Sequence, residues 1–228
     1  MTRREYGQTC SVAGALDRIG ERWSLLIVRE LLLGPLRFSD LARAVGGPPT
    51  DVLTKRLRDL EGDGIILRRE LGTPATGVVY ALTDLGRELD PLLLELGRWG
   101  LNFYDAGDIA NLEPSWLPNS LRLILHPPAE VALKLQLRSE GHAFRMTVAG
   151  GRVSAERGEA DAPDLTLSGP PQAILGALVL GDSGSEDLEI DGDLAAFEAL
   201  CAMVVLPERL REGARAVLDA DAATARTA

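Results

Sequence analysis

Apolar positions recur every three to four residues over three consecutive stretches, SVAGALDRI, SLLIVRELLL and FSDLARAV, separated by GERW and GPLR. The spacing predicts three short helices between Ser11 and Val45, with Ser11, Ser24 and Ser39 in cap or first-turn positions. After GGPP the period continues from Thr50, placed as N-cap, through Asp51, Val52, Leu53 and onward to Leu60. At about 100° per residue from Leu53, Leu57 falls near 40° and Leu60 near 340°, while Asp51, Lys55 and Arg58 lie at about 140° to 200°. One face of this helix is core and the opposite face is charged, and Gly62 and Gly64 end it. Two β-prone runs, IILRREL (65–71) and VVYAL (78–82), then flank GTPATG and read as a hairpin. The stretch from Thr83 to Gly107 reads as one long helix with Thr83 and Asp84 as capping residues and Pro91 as a kink. It carries more leucines than one packing face needs, which points to a partner subunit.

From Asp105 to Pro114 the periodicity weakens. The predicted organisation is a domain over 1–106, a linker over 107–114, a second domain over 115–218 and a disordered tail over 219–228. Beyond the linker a helix, SWLPNSLRLIL, precedes four alternating stretches, VALKLQLRS, HAFRMTVAG, RVSAERG and DLTLSG, that read as strands, with the GG pair at 150–151 as the tightest turn. PPQAILGALVLG is a predicted helix, EDLEIDG a last strand and DLAAFEALCAMVVL a closing helix. The fold class expected for the whole chain is therefore α+β. Its first half is mostly helical with a β-hairpin, and in its second half helices cover one face of a mostly antiparallel sheet.

With 228 residues, two domains are a better expectation than one. No apolar run approaches the roughly 20 residues that cross a bilayer, and the start of the chain lacks the apolar stretch of a signal peptide. A cytoplasmic location without a membrane partner is expected. Cys10 and Cys201 are too far apart in sequence to form a metal knuckle and too few for a disulfide framework, so reduced thiols and no metal are expected. The net charge of −10 argues at first against nucleic acid. Its distribution reverses that argument. Residues 1–104 hold 14 Lys+Arg and 14 Asp+Glu, residues 105–228 hold 10 and 20, and between Arg37 and Arg69 basic residues lead by 7 to 5. A locally basic face on a neutral domain can dock on DNA.

Three helices, a two-stranded hairpin and a further helix make a winged helix-turn-helix layout. On that layout Thr50, Asp51, Thr54, Lys55 and Arg58 occupy the exposed part of the recognition helix, Arg37 and Ser39 open the preceding helix, and Arg68, Arg69 and Thr76 belong to the wing. Each of these is otherwise a residue of an ordinary solvated face, and their conjunction with the turn and the wing favours DNA. Residues Cys10 to Gly100 resemble the HxlR family of bacterial winged-helix transcription regulators. The likeness is carried by Cys10, GERWSLLIVREL (20–31), Gly34 with Arg37–Leu41, VLTKRLRDLEGDGII (52–66), YALTDLGREL (80–89) and Trp99–Gly100. It implies a double-stranded DNA partner and, in some members, a sensing thiol at Cys10; a homodimer on a palindromic operator is expected because one recognition helix reads only a few base pairs. The wing departs from the family pattern, with Val79 where an acidic residue usually precedes the Tyr and without Pro-Arg character in GTPATG. For Cys10 the alternative is a small residue closing the first helix, and Cys201 reads as core.

Residues Ser115 to Leu206 resemble the sterol carrier protein type-2 fold through DLTLSGPPQAILGALVLG and LEIDGDLAAFEALCAMV. That resemblance implies a hydrophobic small-molecule effector, with Leu133, Leu135, Phe144, Met146, Ile174, Leu178, Phe197, Leu200 and Met203 as candidates to line its cavity or, alternatively, to fill a solid core. No catalytic residue or cofactor is expected. The tetrapeptide Gly181-Asp182-Ser183-Gly184 matches a protease nucleophile motif, but it continues with Ser185, and His126 and His142 lack the context of a catalytic base, so a turn is expected. The function expected is a DNA-binding repressor, not an enzyme. The alternatives are a lipid carrier or sequestering protein with a vestigial winged helix, and a regulator that senses oxidants through Cys10.

Overall fold

A computed structural model describes residues 5–72, 76–105, 107–108 and 111–213. Arg3, Arg4 and the tail at 219–228 lie outside the described residues. The chain divides into two compact units, Met1–Leu93 and Leu94–Ala228.

In the first unit helices α1 (Ser11–Ile19), α2 (Ser24–Leu32), α3 (Phe38–Ala44) and α4 (Thr50–Gly62) precede strands β1 (Ile66–Leu71) and β2 (Gly77–Leu82). The apolar positions that set the predicted period meet in one core: Ile27 and Leu31 of α2, Leu41 of α3, Leu53, Leu57 and Leu60 of α4, then Ile66 and Leu82 of the strands. The strands pair antiparallel from Ile66↔Leu82 to Leu71↔Gly77. This unit is a winged helix-turn-helix. Two local expectations change. Thr50 is the first residue of α4 rather than its cap; Pro49, extended and without an N–H to satisfy, precedes it and accepts from the Leu53 N–H at 2.9 Å. The long helix expected from Thr83 is broken into α5 (Asp84–Arg87) and α6 (Asp90–Gly100), followed by a 3-10 turn at Leu101–Phe103. Pro91 therefore begins a helix instead of kinking one, at a position where its missing N–H costs no hydrogen bond.

Thr83 caps α5 as expected and does more. Its Oγ1 accepts from the Gly86 N–H at 3.0 Å and donates to the Gly64 carbonyl at 2.6 Å. One hydroxyl thus ties the start of α5 to the exit of α4. Gly86 must be small there, because a Cβ would stand 2.1 Å from the Ile65 carbonyl oxygen.

In the second unit α7 (Leu117–Ile124) is followed by strands β3 (Leu133–Ser139), β4 (His142–Ala149), β5 (Arg152–Arg157) and β6 (Leu165–Ser168), helix α8 (Pro171–Leu180), strand β7 (Glu189–Gly192) and helix α9 (Leu194–Ala202). The sheet order is β5-β4-β3-β6-β7, antiparallel throughout except for the parallel pair β3–β6. Gly150 and Gly151, at φ 58° and 75°, form the expected two-residue turn between β4 and β5. Alternation along β4 buries Phe144, Met146 and Val148 and exposes Arg145 and Thr147. Helix α7 packs on β5, and α8 packs on both α7 and α9. The polar residue buried deepest in the sheet is Gln136, at 1% exposure; its amide donates to the Leu137 and Phe144 carbonyls and its oxygen accepts from the Ala160 N–H. No helix among the described residues is long and apolar enough to cross a membrane.

Candidate nucleic-acid interface

Helix α4 presents two unlike faces because its leucines are consumed by the core. Leu53, Leu57 and Leu60 are at most 2% exposed. On the opposite side Thr50, Asp51, Lys55 and Arg58 are exposed, and Thr54 is half-buried with its hydroxyl donating to the Thr50 carbonyl at 2.7 Å. Arg58 has no intramolecular partner among the described residues. Lys55 Nζ lies 3.0 Å from Asp59 Oδ2. That carboxylate is shared with Arg56, whose Nη1 is 3.2 Å away, while Arg56 Nη2 reaches Glu21 at 3.8 Å. Arg56 is buried and escaped the sequence reading, although at about 300° from Leu53 it falls on the flank of the apolar face. Its role is to join α4 to the turn between α1 and α2.

The other predicted residues divide into groups. Ser39 is exposed in the first turn of α3, its hydroxyl 3.5 Å from Asp40 Oδ1. Arg68 and Arg69 are both exposed on β1, but adjacent strand residues face opposite ways, so the wing does not bring them together. Arg68 lies over the Tyr80 ring at 5.9 Å, and Arg69 has no partner among the described residues. Arg37 and Thr76 are brought together: Arg37 Nη2 donates to the Thr76 carbonyl at 2.7 Å. Leu36, beside Arg37, forms a bridge with Tyr80 through two backbone hydrogen bonds of 2.8 and 3.1 Å, a one-residue third strand on the wing that periodicity did not signal.

Away from this face, Cys10 is exposed at the N-cap of α1, and the N–H groups of Ala13 and Val12 hold its thiol below the usual range. Burial pushes the Cys201 thiol up to about 11. In the second unit Leu133 is half-buried, and Leu135, Phe144, Met146, Ile174, Leu178, Phe197, Leu200 and Met203 are buried. The Gly181–Gly184 stretch is a turn after α8 in which Asp182 accepts from the Gly184 N–H at 2.9 Å.

The pattern of the HxlR-like helix-turn-helix family matches residues 18–108. An uncharacterised helix-turn-helix transcriptional regulator of Synechocystis sp. is 37% identical over 101 residues, 44% of this chain and 75% of that protein. The chain belongs to the HxlR-like helix-turn-helix family. YvaP of Bacillus subtilis, an uncharacterised regulator of the same type, is 36% identical over 91 residues, 40% of this chain and 84% of its own length. A solved structure of the transcriptional regulator YodB of B. subtilis in its reduced form is 32% identical, covering 42% of this chain and 95% of that one, with a TM-score of 0.38. The HxlR-like unit makes the protein a DNA-binding transcription regulator. The family match ends at residue 108, so most of the second unit lies beyond it.

Proposed function

We propose that the protein is a sequence-specific repressor that binds a palindromic operator as a homodimer, and that its second unit takes up a hydrophobic small molecule which changes its DNA affinity. The observation that carries the DNA reading is the two-faced helix α4, with leucines fully buried on one side and Thr50, Lys55 and Arg58 exposed on the other. Bases are read by the exposed side in the major groove, and Arg68 and Arg69 follow the backbone from the wing. One such helix reads a few base pairs, and two spaced by about one helical turn, roughly 34 Å, read a palindrome.

Dimerisation is supported by apolar groups left in solvent. Leu92, Leu96, Trp99 and Phe103 recur at helical spacing with 45–70% exposure, and Tyr6, Val12 and Leu16 are exposed at the N-terminal end. A solitary chain gains nothing from exposing them, whereas a second copy removes them from water. The effector reading rests on the sequence resemblance of Ser115–Leu206 to the sterol carrier protein type-2 fold and on the apolar Phe144, Met146, Phe197 and Met203 buried in the second unit.

Selection of bound duplexes from a random DNA pool tests the reading. It predicts an enriched palindrome, a dimer by light scattering at micromolar concentration, and an affinity that shifts on adding hydrophobic extract. A monomer that enriches no sequence and copurifies with lipid overturns it in favour of a carrier. A second reading, control through Cys10, is favoured by the exposed N-cap thiol and its two N–H neighbours. It predicts that oxidant abolishes DNA binding and that Cys10→Ser removes the response.

A further inference from the structure

We infer that Arg37 is a positioning residue: it fastens the wing to the start of α3, so that the wing's DNA contacts depend on it even where it touches no phosphate itself. This rests on the DNA-binding reading above for its functional part and on the geometry of the first unit for the rest.

Three observations carry it. Arg37 Nη2 donates to the Thr76 carbonyl at 2.7 Å. Its guanidinium also lies close against Gly77: a Cβ there would stand 2.4 Å from Nη1 and 3.2 Å from Cζ. At φ +126° Gly77 holds a conformation that other residues rarely adopt, so the site admits the guanidinium for want of a side chain. The backbone on both sides of the contact is fixed as well. Leu36 exchanges two hydrogen bonds with Tyr80, and the Arg37 carbonyl accepts from the Leu41 N–H at 2.9 Å to open α3. Gly77 pairs with Leu71 in the last rung of the β1–β2 ladder. The Leu36–Tyr80 bridge therefore holds the wing near its base, and Arg37 holds it at its outer end.

A two-stranded ribbon is marginal by itself in water. Without the Arg37 contact its last rung opens more often, and Arg69 on β1 no longer has a fixed place relative to α4. Arg37 thus differs from a simple phosphate contact in a measurable way. A phosphate contact acts independently of Arg69, and a fastener does not.

The test uses the full chain with three substitutions. Arg37→Met removes the donors and keeps the aliphatic stem. Gly77→Ala keeps the arginine, displaces its guanidinium and also strains the backbone of the last rung, so it marks how far wing opening alone weakens binding. Arg69→Ala reports on wing contacts. In the free protein, Arg37→Met and Gly77→Ala are expected to speed amide exchange at 68–71 and 77–80 several-fold and to leave α2 unchanged. On the selected duplex, both weaken binding by a similar factor, and the roughly tenfold loss expected for Arg69→Ala in the wild type falls below about twofold in the Arg37→Met background. If Gly77→Ala binds like wild type while Arg37→Met and Arg69→Ala multiply independently, Arg37 is an ordinary phosphate contact and the inference fails. If Gly77→Ala does not fold, shown by circular dichroism, the Arg37→Met and Arg69→Ala cycle decides alone. Unchanged wing exchange in Arg37→Met also overturns the inference, whether or not DNA binds. Faster exchange in a protein that selects no duplex leaves the fastener standing and removes the proposed function instead.

Discussion

Replacing Asp59 by Asn should lower the stability of the first unit and raise its affinity for DNA. The carboxylate stands between two cations, 3.0 Å from Lys55 Nζ and 3.2 Å from Arg56 Nη1. The Lys55 pair is exposed and spaced i,i+4 on a helix, which limits it to about 0.3–0.5 kcal/mol. The Arg56 pair matters more, because that guanidinium side chain is only 9% exposed. Removing one partner of a fully buried ion pair costs about 3–5 kcal/mol. Here Asp59 is itself 30% exposed, Glu21 remains 3.8 Å from Arg56, and the amide oxygen of Asn accepts one hydrogen bond. Those three facts reduce the loss to about 1–2 kcal/mol, for a total near 2 kcal/mol with the Lys55 pair included.

The same change acts on DNA with the opposite sign. It deletes a negative charge from the flank of the exposed face of α4 and releases Lys55. A charge pair about 4 Å apart in water is worth about 1 kcal/mol before screening, so a two- to fivefold tightening is expected, with a steeper dependence on salt if Lys55 gains a phosphate. Because the chain has two units, a single unfolding midpoint is not well defined, and native-state hydrogen exchange of the α4 amides is the suitable stability assay. DNA titrations at three salt concentrations supply the other half. Unchanged α4 protection would refute the structural role given to Asp59. A tenfold loss of DNA affinity would show that Asp59 itself reads a base, as a carboxylate accepting from a cytosine amino group does.

Arg58→Ala and Arg69→Ala should flatten the salt dependence of DNA binding more than Lys55→Ala, by about one released counterion each; a larger effect from Lys55→Ala in salt titrations contradicts this ranking. Iodoacetamide near pH 7.5 should modify Cys10 well before Cys201, since the Cys10 thiol ionises below its usual range and the other only near pH 11. Mass spectrometry of the labelled peptides checks the order, and prior labelling of Cys201 would refute it. Gly86→Ala should destabilise the first unit by about 1–3 kcal/mol through the forced shift of α5 from the Ile65 carbonyl, against no loss if α5 can slide freely. The measurement is again exchange protection, at Leu82 and Leu53.

The winged helix was legible because its signals are local and redundant. Leu53, Leu57 and Leu60 mark one side of α4 whatever surrounds it, and Gly64, at φ 70°, lets the chain leave the helix. The break after Arg87 was legible only as a kink at Pro91. Periodicity runs through Leu85, Leu89, Leu92 and Leu96, but Pro91 has no N–H for the Arg87 carbonyl four residues back, so α5 stops at Arg87 and a new helix starts at Asp90. What the sequence did not signal is the anchoring of α5 by the tie from Thr83 to Gly64 and the close seat of Gly86 on Ile65. Thr50 was misplaced by a single residue for a local reason, since Pro49 supplies an extended residue before the helix without any side-chain oxygen. In the second unit the strands followed from alternation and from the Gly150–Gly151 turn, whereas the parallel pairing of β3 with β6 depends on the order in the sheet, which alternation does not encode.

For the interface, residue type and position were legible but not availability. The sequence counts seven basic residues between Arg37 and Arg69. In the folded unit Arg37 is spent on the Thr76 carbonyl, Arg43 lies 3.6 Å from Asp40, Lys55 and Arg56 share Asp59, and Arg68 rests over Tyr80. Arg58 and Arg69 are left without a partner among the described residues. A phosphate approaching either of them displaces water alone, whereas at Lys55 or Arg37 it must first compete with a partner the protein already provides. The acidic residues in this stretch therefore do not simply subtract from its charge. Asp59 holds two cations in the protein and Asp40 stands beside a third, which leaves, of these seven basic residues, one of the helix and one of the wing without a partner among the described residues.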